Sequence, residues 1–144
     1  MLQFDFDNSI AHCVCMTAHC CVRTLTRKLA PLGLTAQHAR ILYRLHRQGE
    51  MSQTQLADAL QIENATLSGI LRRMERMGWT CRVPCGRDRR RKLVRETAKA
   101  QRLWQKLCES FRAVETLAIA NISETELNKI KGLLKRIGTN LRLN

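Results

Sequence analysis

The chain has 144 residues, with 25 Lys and Arg against 12 Asp and Glu and a formal net charge of +13. That length buries a core without disulfides or a metal, and so large an excess of one sign, self-repulsive in the free fold, points to a polyanionic partner, nucleic acid first and an anionic membrane surface second. No stretch approaches the roughly 18 apolar residues of a membrane span, and a start carrying Asp5 and Asp7 without a basic segment does not read as a secretory signal, so the expectation is a cytoplasmic protein, without a membrane partner, whose seven cysteines are mostly reduced.

Only Pro31 and Pro84 occur, and aromatic residues make up 4%, which disfavours an all-β fold. From about Asn8 to Leu29, Ile10, Val14, Cys21, Leu25 and Leu29 recur at four or seven, one face of a helix ended by Pro31 and Gly33. Thr35 caps a second helix carrying Ile41, Leu42 and Leu45, with Gly49 as its stop. Ser52 and Gln55 form a capping-box pattern opening a short third helix, with Leu56, Ala59 and Leu60 inward and an end near Gln61. A fourth helix runs from about Asn64 to Met77, with Leu67, Ile70, Leu71 and Met74 inward and Gly78 as its stop. The period then changes. Trp79–Val83 and Lys92–Glu96 flank Pro84, Cys85, Gly86 and a charge run, the pattern of a two-stranded hairpin with a basic tip. Thr97 caps a long fifth helix through Leu103, Leu107 and Ala118, and Ser123 with Glu126 opens a final helix to about Leu141. The predicted class is mainly α with a small two-stranded β-wing, one domain over residues 1–144.

The order helix, turn, helix, basic hairpin is what a winged helix-turn-helix requires, because a helix must enter the major groove of DNA while a β-ribbon grips the flanking backbone. Between Arg72 and Arg95 stand ten basic residues (Arg72, Arg73, Arg76, Arg82, Arg87, Arg89, Arg90, Arg91, Lys92, Arg95) against Glu75 and Asp88, so this segment holds +8 of the +13. A charge run is usually a solvated face; on a hairpin directly after a helix-turn-helix it reads as a phosphate grip. The polar face of the fourth helix, Asn64, Thr66, Ser68, Arg72 and Arg73, offers donors and acceptors to base edges and phosphates. Gly69 either lets that helix approach DNA closely or is a neutral surface glycine costing about 1 kcal/mol of helix propensity.

The run Gly33-Leu34-Thr35, then Ser52 through Leu60 (SQTQLADAL), then Asn64 through Ser68 with Leu71, Met74 and Gly78, then Asp88-Arg89-Arg90-Arg91-Lys92-Leu93-Val94, resembles the MarR family of regulators from about Leu29 to Lys99. The resemblance implies a winged helix over about 33–97, and a homodimer formed by helices over about 8–30 and 98–144. It further implies a pseudo-palindromic duplex operator and a repressor released by a small-molecule or oxidant inducer. In the wing, Asp88 would orient arginines, with Arg90 entering the minor groove and Arg89 or Arg91 assisting. The expected DNA-contacting set is Ser52, Gln53, Asn64, Thr66, Ser68, Arg72, Arg73, Arg87, Asp88, Arg89, Arg90, Arg91 and Lys92. Two positions depart from the family pattern: Glu96 stands where an apolar residue is usual before Thr97, and Ala100 where Gly is usual. A shorter or more exposed end to the second wing strand is expected.

Four cysteines, Cys13, Cys15, Cys20 and Cys21, crowd the first helix with His12 and His19. Three readings stand side by side: small buried hydrophobes at a dimer interface; a thiol sensor, since Cys15, eight residues before Arg23, resembles the peroxide-sensing cysteine of one branch of the family; and a weak soft-metal site from His12, Cys15 and His19, which share a helical face. The tyrosines that activate the sensing thiol in that branch are replaced by Thr35, Ala36, Gln37, His38 and Ala39, leaving His38, His19 or Arg23 to lower the thiol pKa. Cys81 and Cys85 flank the hairpin, where they either pair across it or are incidental. No cofactor motif is present. Catalysis by a Cys15–His19 pair lacks an orienting third group, clustered carboxylates and a phosphate loop, and a single-strand or RNA binder would need the aromatic platforms that this chain lacks.

Overall fold

The computed structural model describes residues 5–88 and 90–142. Helix α1 spans Ile10–Leu29 and is capped by Ser9, whose hydroxyl accepts from the His12 amide at 3.2 Å. One 3-10 turn, Ala30–Leu32, follows around Pro31. Helix α2 spans Ala36–Gln48 behind a reciprocal cap: the Thr35 hydroxyl accepts from the His38 amide, and the Thr35 amide donates to His38 Nδ1. The two-residue strand β1, Met51–Ser52, leads into α3, Gln53–Leu60, where Ser52 and Gln55 make the expected capping box. Helix α4 spans Asn64–Arg76, and Gly78 at φ 73° turns the chain from it into the wing.

Strands β2, Thr80–Pro84, and β3, Lys92–Glu96, pair antiparallel in the register Thr80↔Glu96 to Pro84↔Lys92, and β1 adds to the other edge of β3 through Met51↔Val94. The sheet therefore has three strands in the order β1-β3-β2 rather than two. The segment after Thr97 is also not one helix. It is a single turn, α5, Ala98–Gln101, and then α6, Trp104–Ala118, separated by a tight turn in which the Leu103 amide bonds back to the Ala100 carbonyl. Across this break Ala100 and Leu107 both enter the core, and Trp104 stacks on His46 with centroids 3.8 Å apart. Helix α7 closes the chain over Glu124–Arg142.

The core lies between residues 29 and 107: Leu29, Ile41, Leu42, Leu45, Leu56, Leu67, Leu71, Met74, Val94 and Leu107 are all essentially inaccessible. The outer helices contribute little to it. Leu29 is the one buried residue of α1, and α7 buries none. Along the apolar face of α1 burial falls off toward the N-terminus: Leu29 is buried, Leu25 and Val14 are half-buried, and Cys21 and Ile10 are exposed, as are Leu133, Leu134 and Leu141 on α7.

The departures at positions 96 and 100 do not shorten the wing. Strand β3 runs through Glu96, whose carboxylate accepts from His46 Nδ1 at 3.0 Å and from Gln101 at 3.4 Å, so an ionic contact replaces an apolar one. Beside it the Thr97 hydroxyl donates to the Gly78 carbonyl at 2.6 Å, tying the foot of the wing to the end of α4.

The α2 cap carries a pH dependence. Burial first, and the positive charge of Arg73 second, hold the His38 imidazole below its ordinary pKa, and Nδ1 must be unprotonated to accept from the Thr35 amide. A depressed folded-state pKa makes the contribution to stability complete above the unfolded value of about 6.5 and progressively lost as pH falls below it. The melting temperature of the His38→Gln variant, which retains a capping acceptor, is therefore expected to fall less than that of the parent between about pH 7 and pH 5; parallel curves would remove His38 from the acid response.

Candidate nucleic-acid interface

Leu67, Ile70, Leu71 and Met74 are buried, so the helical period turns Ala65, Thr66, Gly69, Arg72, Arg73 and Arg76 of α4 outward. Asn64 at the start of the helix is also exposed and Ser68 is half-buried. The N-cap position, Glu63, makes no side-chain hydrogen bond to the first turn. A Cβ built on Gly69 meets nothing within 4 Å, so the fold itself does not require a glycine there.

Two expected contact residues turn out to have structural duties. The Ser52 hydroxyl caps α3, and Gln53 bridges three elements: its amide nitrogen donates to the Asn64 carbonyl at 3.2 Å and its oxygen accepts from Arg82 at 3.2 Å. Arg82 in turn donates to Glu75 at 2.7 Å. The Gln53–Arg82–Glu75 chain joins α3, α4 and strand β2. Arg82 was legible only as one charge among ten, since its partners lie 7 and 29 residues away.

At the wing tip the Cys85 amide donates to the Arg91 carbonyl at 2.8 Å and closes the hairpin. The Asp88 carboxylate accepts from the backbone amide of Arg90 at 2.9 Å. It thus fixes the path of the loop that carries Arg90. Arg89 lies outside the described residues. Arg87, Arg90, Arg91 and Lys92 are exposed and form no ion pair among the described residues, where Arg82 pairs with Glu75 and Arg95 with Glu50. The outer face of α4 presents Arg72, Arg73 and Arg76, and the wing tip Arg87, Arg90, Arg91 and Lys92, all exposed and none in an ion pair among the described residues. Behind α2, a cavity of about 420 Å³ is lined by Arg40, Tyr43, Arg44, Leu60, Trp104, Cys108, Phe111 and Arg112.

Two helices joined by a short turn, with a three-stranded wing against the second, define a winged helix-turn-helix protein. Residues 34–92 match the MarR family. Solved structures agree over nearly the whole chain. A probable transcriptional regulator from Pseudomonas aeruginosa is 25% identical with a TM-score of 0.82, over 91% of this chain and 98% of that one. A mutant MarR of E. coli complexed with operator DNA is 22% identical at 0.86, over 94% and 99%. BpsR of Bordetella bronchiseptica, whose DNA binding is regulated by 6-hydroxynicotinic acid, is 20% identical at 0.86, over 94% and 97%.

Cys13, Cys15, Cys20 and Cys21 are all exposed in the single chain. His12 is half-buried against the Phe6 ring, and no three His, Cys, Asp or Glu side chains among the described residues gather as metal ligands, so His12, Cys15 and His19 share a face without converging. His38 has committed Nδ1 to the Thr35 amide. Cys81 lies opposite Arg95 and on the same arm of the hairpin as Cys85; four steps along nearly extended chain place them on the order of 13 Å apart, beyond the reach of a disulfide. The thiol with a lowered pKa is Cys85: the Arg87 and Asp88 amides donate to its sulfur, and Arg91 adds positive charge. The rate of alkylation of Cys85 by iodoacetamide, followed by peptide mass mapping across pH, is expected to reach its midpoint below that of a free cysteine peptide; a midpoint at or above the peptide value would refute the amide cradle.

Proposed function

We propose that the protein is a homodimeric, sequence-specific repressor that occupies a pseudo-palindromic operator in duplex DNA and is released by a small organic ligand. The observation that carries this reading is the set of exposed cations on α4 and the wing tip that stand outside the ion pairs among the described residues. In it α4 lies in the major groove, with Asn64, Thr66, Ser68, Arg72 and Arg73 toward bases and phosphates, and Arg90 reaches the adjacent minor groove with Arg87, Asp88, Arg91 and Lys92 holding the loop on the backbone. Ser52 and Gln53 support the reading helix from behind, and Arg89 is assigned to the wing contacts by its place in the motif.

The segments over about 8–30 and 98–144 supply the dimer. The exposed Ile10, Met16, Val22, Leu117, Ile130, Leu133 and Leu134 support this, because uncovered apolar side chains at helical spacing need a partner. Ligand release is supported by the apolar cavity between α2 and α6 and by the regulation of BpsR by 6-hydroxynicotinic acid. The protein is assigned to the cytoplasm, no described helix being long and apolar enough to cross a membrane. A second reading, release by oxidation, is favoured by the exposure of the four α1 thiols, Cys15 first among them.

Fluorescence anisotropy on the chain's own upstream duplex and a scrambled duplex, near physiological salt, tests the reading. The expected result is specific binding that falls steeply with salt and that Arg90→Ala weakens by about 1–3 kcal/mol; equal affinity for both duplexes would overturn it. Organic hydroperoxide decides the oxidation reading: release that Cys15→Ser abolishes supports it, and an indifferent complex ends it. Gly69→Ala is expected to raise the melting temperature, since helix propensity improves by about 1 kcal/mol, while weakening DNA binding through the added methyl on the reading face. Unchanged binding would make Gly69 an ordinary surface residue.

A further inference from the structure

The winged helix, residues 35–97, carries six carboxylates, and four are engaged within the fold. Glu50 pairs with Arg95, Glu75 with Arg82, Asp88 accepts from the Arg90 amide, and Glu96 accepts from His46. The other two are Asp58, on α3, and Glu63, at the mouth of α4. Glu63 is exposed, and among the described residues its side chain neither caps the helix nor joins an ion pair.

Its backbone is held on both sides. The Ile62 amide donates to the Ala57 carbonyl at 3.0 Å, the Glu63 carbonyl accepts from the Leu67 amide at 2.9 Å, and the Asn64 carbonyl accepts from Gln53 at 3.2 Å. A free carboxylate therefore stands at a fixed point, the N-terminal tip of the helix.

Toward DNA that placement is unfavourable unless something answers it. The N-terminal residues of a helix laid in the major groove meet base edges, and the phosphates on either side repel a negative charge. The helix dipole favours an anion at this end, but it does so for every duplex alike. What distinguishes sequences is the pattern of donors and acceptors on the bases. An ionised carboxylate only accepts. In the major groove guanine offers acceptors, thymine an acceptor and a methyl group, adenine an amino group beside the acceptor N7, and cytosine an amino donor alone. Cytosine is thus the one base that satisfies the carboxylate without setting an acceptor of its own against it.

We propose that Glu63 is a specificity-determining residue: its carboxylate accepts from the N4 amino group of a cytosine, so that each half-site carries a C·G pair at one fixed position. The assignment rests on the operator reading above, in which α4 enters the major groove.

Selection of bound duplexes from a randomised library by the full-length protein, followed by sequencing, tests it beside the Glu63→Gln variant, whose fold is checked by circular dichroism and melting. The parent is expected to enrich a motif with an invariant C·G pair, and anisotropy on duplexes altered at that pair alone is expected to show a loss of about tenfold or more. Glu63→Gln is expected to keep the rest of the motif and exchange cytosine for adenine at that position, because an amide accepts from N6 and donates to N7. It should also bind scrambled duplex more tightly than the parent does, one repelled charge having gone. If Glu63 served helix stability alone, the variant would melt lower and select the same motif as the parent; identical motifs would overturn the proposal. A parent that enriches no motif fails earlier, at the operator reading, and removes the Glu63 assignment with it.

Discussion

The arrangement depends on one constraint, the burial of a single stripe of α4. Leu67, Ile70, Leu71 and Met74 face Leu56 and Leu60 of α3 and the core of α2, and at about 1.5–3 kcal/mol for each buried side chain the four together are comparable with the whole net stability of a domain, about 5–15 kcal/mol. Turning α4 about its axis would forfeit that sum. Its outward residues are consequently fixed in direction before any partner arrives. The Gln53–Arg82–Glu75 chain acts differently. Arg82 and Glu75 are each about a third exposed, so their pairing is worth at most about 1 kcal/mol; what it contributes is an angle, setting the wing against the reading helix.

That fixed geometry concentrates like charge. The wing tip and the exposed face of α4 hold cations outside any ion pair among the described residues, while Glu75 is paired with Arg82, Glu50 with Arg95, and Asp88 accepts from the loop backbone. Repulsion among exposed cations is tolerable because water and salt screen it beyond about 10 Å. A phosphate backbone satisfies the same groups far better, with release of its own counterions. Asp88 also shows why a loop residue and a charge partner are easily confused: a carboxylate two residues ahead of an amide is well placed for a local turn bond, and the loop takes that option.

Much of this was legible in the sequence because it is local. The Ser52–Gln55 and Ser123–Glu126 boxes, the Thr35 and Thr97 caps, Gly78 and the apolar stripe of α4 each involve residues a few positions apart, and each forms as expected. What was not legible depends on distant partners. The third strand exists because Met51 meets Val94; Glu96 is held inside by His46, 50 residues away; the break near Leu103 reflects Trp104 settling on the same His46. The cysteines show the converse limit. Spacing placed His12, Cys15 and His19 on one face, but a shared face of one helix is convex, and convergence on an ion requires a second element, which the described residues do not supply.

The cavity behind α2 and helix α4 are linked by shared elements. Arg40 and Arg44 belong to α2, whose Leu42 and Leu45 pack in the core that holds α4, while Trp104, Phe111 and Arg112 belong to α6, whose outer end takes part in the proposed dimer. A ligand held between them has contacts on both sides of the junction, and it shifts the DNA equilibrium only by the difference in its affinity for the two arrangements of α2 and α6. His46 sits at this junction, stacked on Trp104 and bonded to Glu96 of the wing, so a ligand that displaces Trp104 acts on the wing through two contacts.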